Sequence, residues 1–149
     1  MPSSGTSAAV PGQMITAVDT NVLADVFFAD PRFGTASAAA LRQSSAEGSL
    51  IACDVVFAEC VAAFGDEERA AAALAAARVD FSALDAVAAL DAGLRWGRFR
   101  CGGGGRERVV GDFLIGAHAH ARADRLLTRD RGFYRGWFSD LEVVEPQTD

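Results

Sequence analysis

The stretch Ile15-Thr16-Ala17-Val18-Asp19-Thr20-Asn21-Val22-Leu23 decides how the rest of the chain is read. A short, mostly apolar run reaches an acid, then two small polar residues, then a segment with an apolar side. This pattern predicts a buried strand over 15–18, a tight turn at Asp19, and a helix over about 21–28. In open α/β sheets, ligands bind just beyond the carboxyl ends of the strands. A carboxylate placed there needs a partner, because taking it out of water is costly. Taken alone, Asp19 or Thr20 reads as a helix cap. The question is whether other acids recur in equivalent places.

Working outward, the same strand–acid–helix grammar repeats. Asp30-Pro31 closes the first helix, since the residue before proline avoids helical backbone. A second helix spans about 35–46 and is closed by Gly48. A second strand covers 49–53, with Asp54 placed to cap the next helix, which carries Glu59 about one turn in and stops at Gly65. Asp66, Glu67 and Glu68 open an alanine-rich helix to about Arg78, where acids suit the helix dipole. A short strand at 79–81 precedes a helix over 82–98, with Leu84, Val87, Ala88, Leu90, Ala92 and Leu94 expected to face inward. Gly102 to Gly105 then predict a flexible loop. Asp112 stands at or beside the start of a helix. A strand over 125–128 runs directly into Asp130, a short aromatic helix covers 132–138, and a last strand covers 141–144. Strands alternating with helices argue for one α/β domain, with a central parallel sheet of about four to five strands and helices on both faces. The expected organisation is a disordered leader over 1–13, the domain over 14–146, and a tail over 147–149.

The totals narrow the function. At 149 residues the chain is long enough for one domain with a sizeable core. No apolar run is long enough to span a bilayer, so no membrane role is expected. Cys53, Cys60 and Cys101 are odd in number and lack C-x-x-C spacing, which argues against a disulfide framework or a zinc site. A reducing cytoplasm is the expected setting. The formal net charge is −6, and all 14 basic residues are arginines. Without lysine, neither a P-loop nor Schiff-base chemistry can operate. Ten of the arginines lie between Arg95 and Arg135, against the acids Glu107, Asp112, Asp124 and Asp130, a local balance of +6. Such a patch suits phosphates; it equally suits a solvated face with charges near helix ends.

Four acids stand out by position: Asp19, Glu59, Asp112 and Asp130. A parallel sheet lets them converge at one edge. Together they repel one another, and a divalent cation resolves the conflict. Carboxylates and water are the ligand set of Mg²⁺ or Mn²⁺ rather than zinc. Such an ion activates a bound water and neutralises a phosphate oxygen, in one-ion form or as a pair about 4 Å apart. Phosphodiester hydrolysis is the natural reaction.

The runs AVDTNVLAD, VVFAEC, GDFLIGAHA and LLTRDRGFY, with LEVVEP after them, resemble a PIN domain. More narrowly, they are similar to the VapC toxins of VapBC toxin–antitoxin pairs. The resemblance covers Met14 to Pro146 in the family's order and spacing. It implies that Asp19, Glu59, Asp112 and Asp130 are metal-binding and catalytic. It further implies that Thr128 orients a ligand or water and that Asn21 holds Asp19. It implies Mg²⁺- or Mn²⁺-dependent endoribonuclease action on RNA, a homodimer, and inhibition by a VapB-type antitoxin. Arg129, Arg131, Tyr134 and Arg135 are the candidate substrate-binding residues around this site. The leader and the glycine-rich loop depart from the family pattern.

Other readings are weaker. His118 and His120 lie on roughly opposite helix sides and form no i, i+4 metal pair. Cys60 reads as a packed thiol. Trp96, Phe99, Phe133 and Trp137 suit core or dimer packing better than base stacking. Haloacid dehalogenase-like phosphatases also begin with a strand and D-x-D. Here Asn21 holds the second position and the required lysine is missing, which excludes a receiver domain too. The non-enzymatic alternative is a catalytically weak PIN-fold RNA-binding or scaffold module.

Overall fold

The computed structural model describes residues 13–105 and 108–148. The expected leader therefore lies, except for Gln13, outside the described residues. The run around Ile15 forms β1 (Met14–Val18), at the centre of a parallel sheet. On one side of it lie β2 (Gly48–Ala52) and then β3 (Val79–Phe81); on the other lie β4 (Arg125–Leu127) and then β5 (Glu142–Val144). Among the described residues the sheet has five strands in the order β3-β2-β1-β4-β5. The register sets Ala17 beside Ile51 on one side and Val18 beside Leu127 on the other.

Two helices follow β1: α1 (Thr20–Phe27) and α2 (Gly34–Glu47). α3 (Asp54–Phe64) and α4 (Glu67–Ala76) follow β2, while α5 (Ala86–Cys101) and α6 (Val110–Arg122) follow β3. α7 (Arg131–Trp137) joins β4 to β5. Strand addition runs outward from β1 in one direction, then reverses at β4. Because parallel crossovers are right-handed, this reversal puts α1 to α4 on one face and α5 to α7 on the other. It also opens a crevice between the carboxyl ends of β1 and β4, the switch point of the sheet. Val18, Leu23, Leu126, Leu127 and Phe113, each at most 1% exposed, seal the core beneath it.

Local chemistry accounts for the element ends. Asp19 caps α1 by accepting from Thr20 N at 2.7 Å. Asp66 caps α4 by accepting from Arg69 N, and Gly65 closes α3 in the left-handed region at φ 70°. Gly48 closes α2 for a different reason than expected. Its φ of 166° is ordinary extended backbone, but a Cβ there would stand 1.8 Å from Met14 O. Glycine is needed for the close approach of β2 to β1.

Two expectations are corrected. Asp54 is not a cap: α3 is preceded by Cys53, which makes no side-chain cap bond. Its carboxylate instead accepts from Leu84 N at 2.7 Å, tying the start of α3 to the segment before α5. On α5, Val87 and Leu90 are each 75% exposed and Leu94 is 55% exposed, while Ala88 and Ala92 are buried. α5 packs on α6 through its small residues, so the larger apolar side chains face outward. The glycine run after α5 is a turn outside the helix, as expected of a loop, and it is tied back to the helix end. Gly102 N and Gly104 N donate to Arg98 O and Phe99 O, finishing α5. Gly103 takes φ 90°, and a Cβ on Gly104 would stand 2.5 Å from Phe99 O. No helix among the described residues is long and apolar enough to cross a membrane.

Candidate active site

β1 and β4 end side by side, and the ladder continues one step past them. Asp19 N donates to Leu127 O at 2.9 Å, which fixes Asp19 beside Thr128. Thr128 is fully buried and joins the two strand ends. Its hydroxyl donates to Asp19 Oδ2 at 2.7 Å and accepts from Asp130 N at 3.0 Å. Asn21 completes the clip. Its Nδ2 lies 3.5 Å from Asp19 Oδ2 and 3.4 Å from Thr128 Oγ1, and its Oδ1 accepts from Arg129 N at 3.2 Å. A carboxylate, a hydroxyl and an amide are thus locked together at the switch point.

The other two acids approach from helices on either side. On α3, Glu59 is exposed, and its Oε1 accepts from Thr20 Oγ1 at 2.5 Å. Its other oxygen lies 3.9 Å from where a Cβ on Gly111 would stand. The start of α6 thus lies against Glu59. Asp112 sits in the first turn of α6. Arg108 bridges the far side: it is hydrogen-bonded to Asp130 Oδ2 and lies 4.0 Å from Asp112 Oδ2. Its guanidinium also stands over the Phe133 ring, 4.2 Å from the centroid.

The electrostatics follow from this crowding. Asp19 is 6% exposed, and burial pushes its carboxyl from 3.8 up to about 6, against the hydrogen bonds from Thr128 and Thr20. Asp112 adds to that rise as a like charge. Burial also raises Asp112, with Arg108 opposing and Asp130 adding. The same acids raise Arg108, chiefly through its hydrogen bond to Asp130. Beneath them lies Tyr134, 1% exposed, whose buried hydroxyl has no hydrogen-bond partner among the described residues. It is near enough to Asp19 to favour that carboxylate's charge, yet completes no bond of ordinary geometry. Burial and the surrounding acids push its own ionisation far up.

Asp19, Asp112 and Asp130 therefore lie within reach of one another's charge at one end of the sheet, and Glu59 joins through Thr20, outlining a candidate pocket. The pocket is not a finished coordination sphere: among the described residues, no three acids, histidines or cysteines are gathered around a single point. Arg108 holds Asp130, and Thr20 holds Glu59. The donor set nevertheless fits a hard divalent cation. All four donors are carboxylates, Asp112 raises the affinity of buried Asp19 for a proton, and an orphaned hydroxyl lies beside Asp19. Asp19, Glu59 and Asp112 are the residues that would hold such an ion.

The candidate substrate residues are placed differently from one another. Arg129 is turned away: its Nε and Nη2 pair with buried Asp25 at 2.7 and 3.1 Å, and it stacks on Phe33. Tyr134 is packed against Phe133 and Phe138, which leaves no ring face for a base. Arg131 lies 3.4 Å from Glu145. Arg135 is exposed, with no ion pair among the described residues. The arginine-rich stretch is largely neutralised in the same way. Arg95, Arg108, Arg122, Arg125, Arg129 and Arg131 all pair with carboxylates. Sequence reasoning missed Arg108 as part of the site. Its place four residues before Asp112, just ahead of the helix that carries that acid, is the signal that could have found it.

Comparison with known proteins sets this geometry in a family. The family model of the PIN domain matches residues 16–136, and the chain belongs to the PIN domain family. Solved structures share the fold. A chain of VapBC2 from Rickettsia felis, bound to a DNA fragment from its promoter, superposes with a TM-score of 0.71 at 19% identity, covering 90% of this chain and 100% of that one. A chain of VapBC-1 from nontypeable Haemophilus influenzae gives 0.67 at 20% identity, covering 89% and 98%. A chain of FitAcB from Neisseria gonorrhoeae gives 0.63 at 19%, covering 88% and 97%. No curated protein sequence gives a significant match.

Proposed function

We propose that the chain is a VapC-type toxin: a Mg²⁺- or Mn²⁺-dependent endoribonuclease that hydrolyses RNA phosphodiester bonds in the cytoplasm and is neutralised by a VapB-type antitoxin. The observation that supports the reading is the run of contacts at the β1/β4 switch point, with Thr128 on Asp19, Thr20 on Glu59, and Arg108 on Asp130 and beside Asp112, near the unpartnered Tyr134 hydroxyl. When bound, the metal supplies a Lewis acid for the phosphate and an acidified water. Asp19, Glu59 and Asp112 would hold it. Thr128 and Asn21 fix the Asp19 carboxylate so that it needs no reorganisation. Burial of Asp19 keeps bulk water from screening the charge.

The antitoxin and the homodimer rest on the likeness to VapBC and FitAB assemblies. Co-expression with the cognate antitoxin and light scattering of the full chain test them, the latter expecting twice the chain mass. The deciding experiment for the enzyme is cleavage of a mixed RNA pool with Mg²⁺ or Mn²⁺, compared with EDTA and with Asp19→Asn. Cleavage should stop in both comparisons; cleavage that survives either one overturns the reading. A second reading, a catalytically weak RNA-binding or scaffold module, is favoured by one observation: Arg108 already occupies Asp130. RNA binding without metal-stimulated cleavage would select it.

A further inference from the structure

Arg108 is a strange residue for its place. It directly precedes Val109, the residue that caps α6, at the helix end whose dipole disfavours positive charge. Something must compensate, and the acids do. The guanidinium is hydrogen-bonded to Asp130 and 4.0 Å from Asp112. It is also seated on Phe133, which packs edge-on against Phe113 and Tyr134 at 5.1 and 4.9 Å. It is therefore a fixed cation on an aromatic platform, and an arginine cannot lose its proton.

The remaining acids lack such a partner. Asp19 is held by a hydroxyl, an amide and a backbone N–H, and Glu59 by a hydroxyl. Neither is paired with a cation among the described residues. Asp112 stands between the two halves of the pocket: Arg108 faces it on one side, and its charge is felt at Asp19 on the other. The pocket is thus divided into a half already neutralised from within and a half that is not.

We propose that Arg108 is the pocket's built-in second cation. It takes the place at Asp130 that a second divalent ion would otherwise fill, so the chain binds one divalent ion, on the Asp19, Glu59 and Asp112 side. This rests on the metal-dependent reading above. The charges agree with it: one divalent ion and one guanidinium bring three positive charges to four carboxylates. A second divalent ion beside Arg108 would bring five and would have to enter against a bound guanidinium. The arginine then serves as a permanent positive charge next to the metal, where a phosphate oxygen would arrive. Its cation is covalently tethered, so chelators cannot remove it.

The test is Mn²⁺ titration of the full chain, followed by calorimetry and electron paramagnetic resonance. The proteins are the wild type, Arg108→Met, Asp130→Asn and Asp19→Asn. The wild type should bind one Mn²⁺ per chain with the spectrum of an isolated ion. Arg108→Met should bind two, with the broadening of a coupled pair. Asp130→Asn should keep one ion, and Asp19→Asn should lose it. Two coupled ions in the wild type overturn the assignment whether or not Arg108→Met folds. One ion in both the wild type and Arg108→Met, at equal affinity, overturns it while leaving the metal-dependent reading intact. No binding in either protein overturns both.

Discussion

Replacing Arg129 with Met separates a structural arginine from a substrate-binding one. Asp25 is 3% exposed and accepts three hydrogen bonds: one from Ser37 Oγ at 2.7 Å, and two from Arg129 at 2.7 and 3.1 Å. The cluster ties α1 to α2 and to the segment between Thr128 and Asp130. Arg129→Met removes the charge and two of the three bonds while retaining an apolar stem. Breaking a buried pair from one side costs about 3–5 kcal/mol, because a buried charge is left uncompensated. The Arg129 side chain is 31% exposed, so the lower end applies, about 3 kcal/mol. Loss of its stacking on Phe33 adds about 0.5 kcal/mol. With a urea m-value of about 2 kcal/mol/M, the midpoint should fall by roughly 1.5–2 M. Adding Asp25→Asn to Arg129→Met should recover part of the loss, with a coupling of about 2 kcal/mol in the double-mutant cycle. RNA affinity of the folded variant should hardly change. A midpoint shift below about 0.3 M, together with a large drop in RNA affinity, would refute this reasoning and return Arg129 to the substrate.

Two further outcomes follow from burial. The folded state holds the Asp19 proton more tightly than the unfolded chain does, since burial moves its carboxyl from 3.8 to about 6. The metal-free protein should therefore lose stability as pH rises from about 4 to 6, with a ceiling of about 3 kcal/mol. Asp19→Asn should raise the metal-free melting temperature at pH 7.5 by several degrees but give no gain at pH 4; equal shifts at both pH values would contradict this. On α5, Leu90→Glu should change stability by less than about 0.5 kcal/mol, whereas Ala92→Leu, at a position with no exposed surface, should cost about 1–3 kcal/mol by overpacking. Chemical denaturation of both variants checks the pair, and a large loss for Leu90→Glu would put that side chain back in the core.

The sheet was readable because its signals are local. A strand that ends on Asp19 or runs into Asp130 announces its own boundary, and a parallel sheet then brings such ends together. Asp19 and Asp130 are brought together that way, tied through Thr128. α5 misled for the opposite reason. Counting large apolar residues at helical spacing puts Val87, Leu90 and Leu94 inside, but α5 and α6 approach through alanines, and the size of a contact is a property of two helices. Asp54 fits the position of a cap, yet Leu84 N, thirty residues away, claims its carboxylate. Arg108 was invisible as a site residue while it was counted within a charge patch, because charge totals do not tell which arginines are already neutralised.

The pocket joins segments that are far apart along the chain: Thr128 reaches Asp19 across a separation of 109 residues. Contacts of that span form only after distant chain has been made and brought back, and long loops must close first. A polypeptide still growing on the ribosome carries Asp19 and Glu59 long before it carries their counterparts from β4 and α7. Whatever chemistry the finished crevice performs, the unfinished chain cannot perform it, and the crevice is assembled only when the fold is nearly complete.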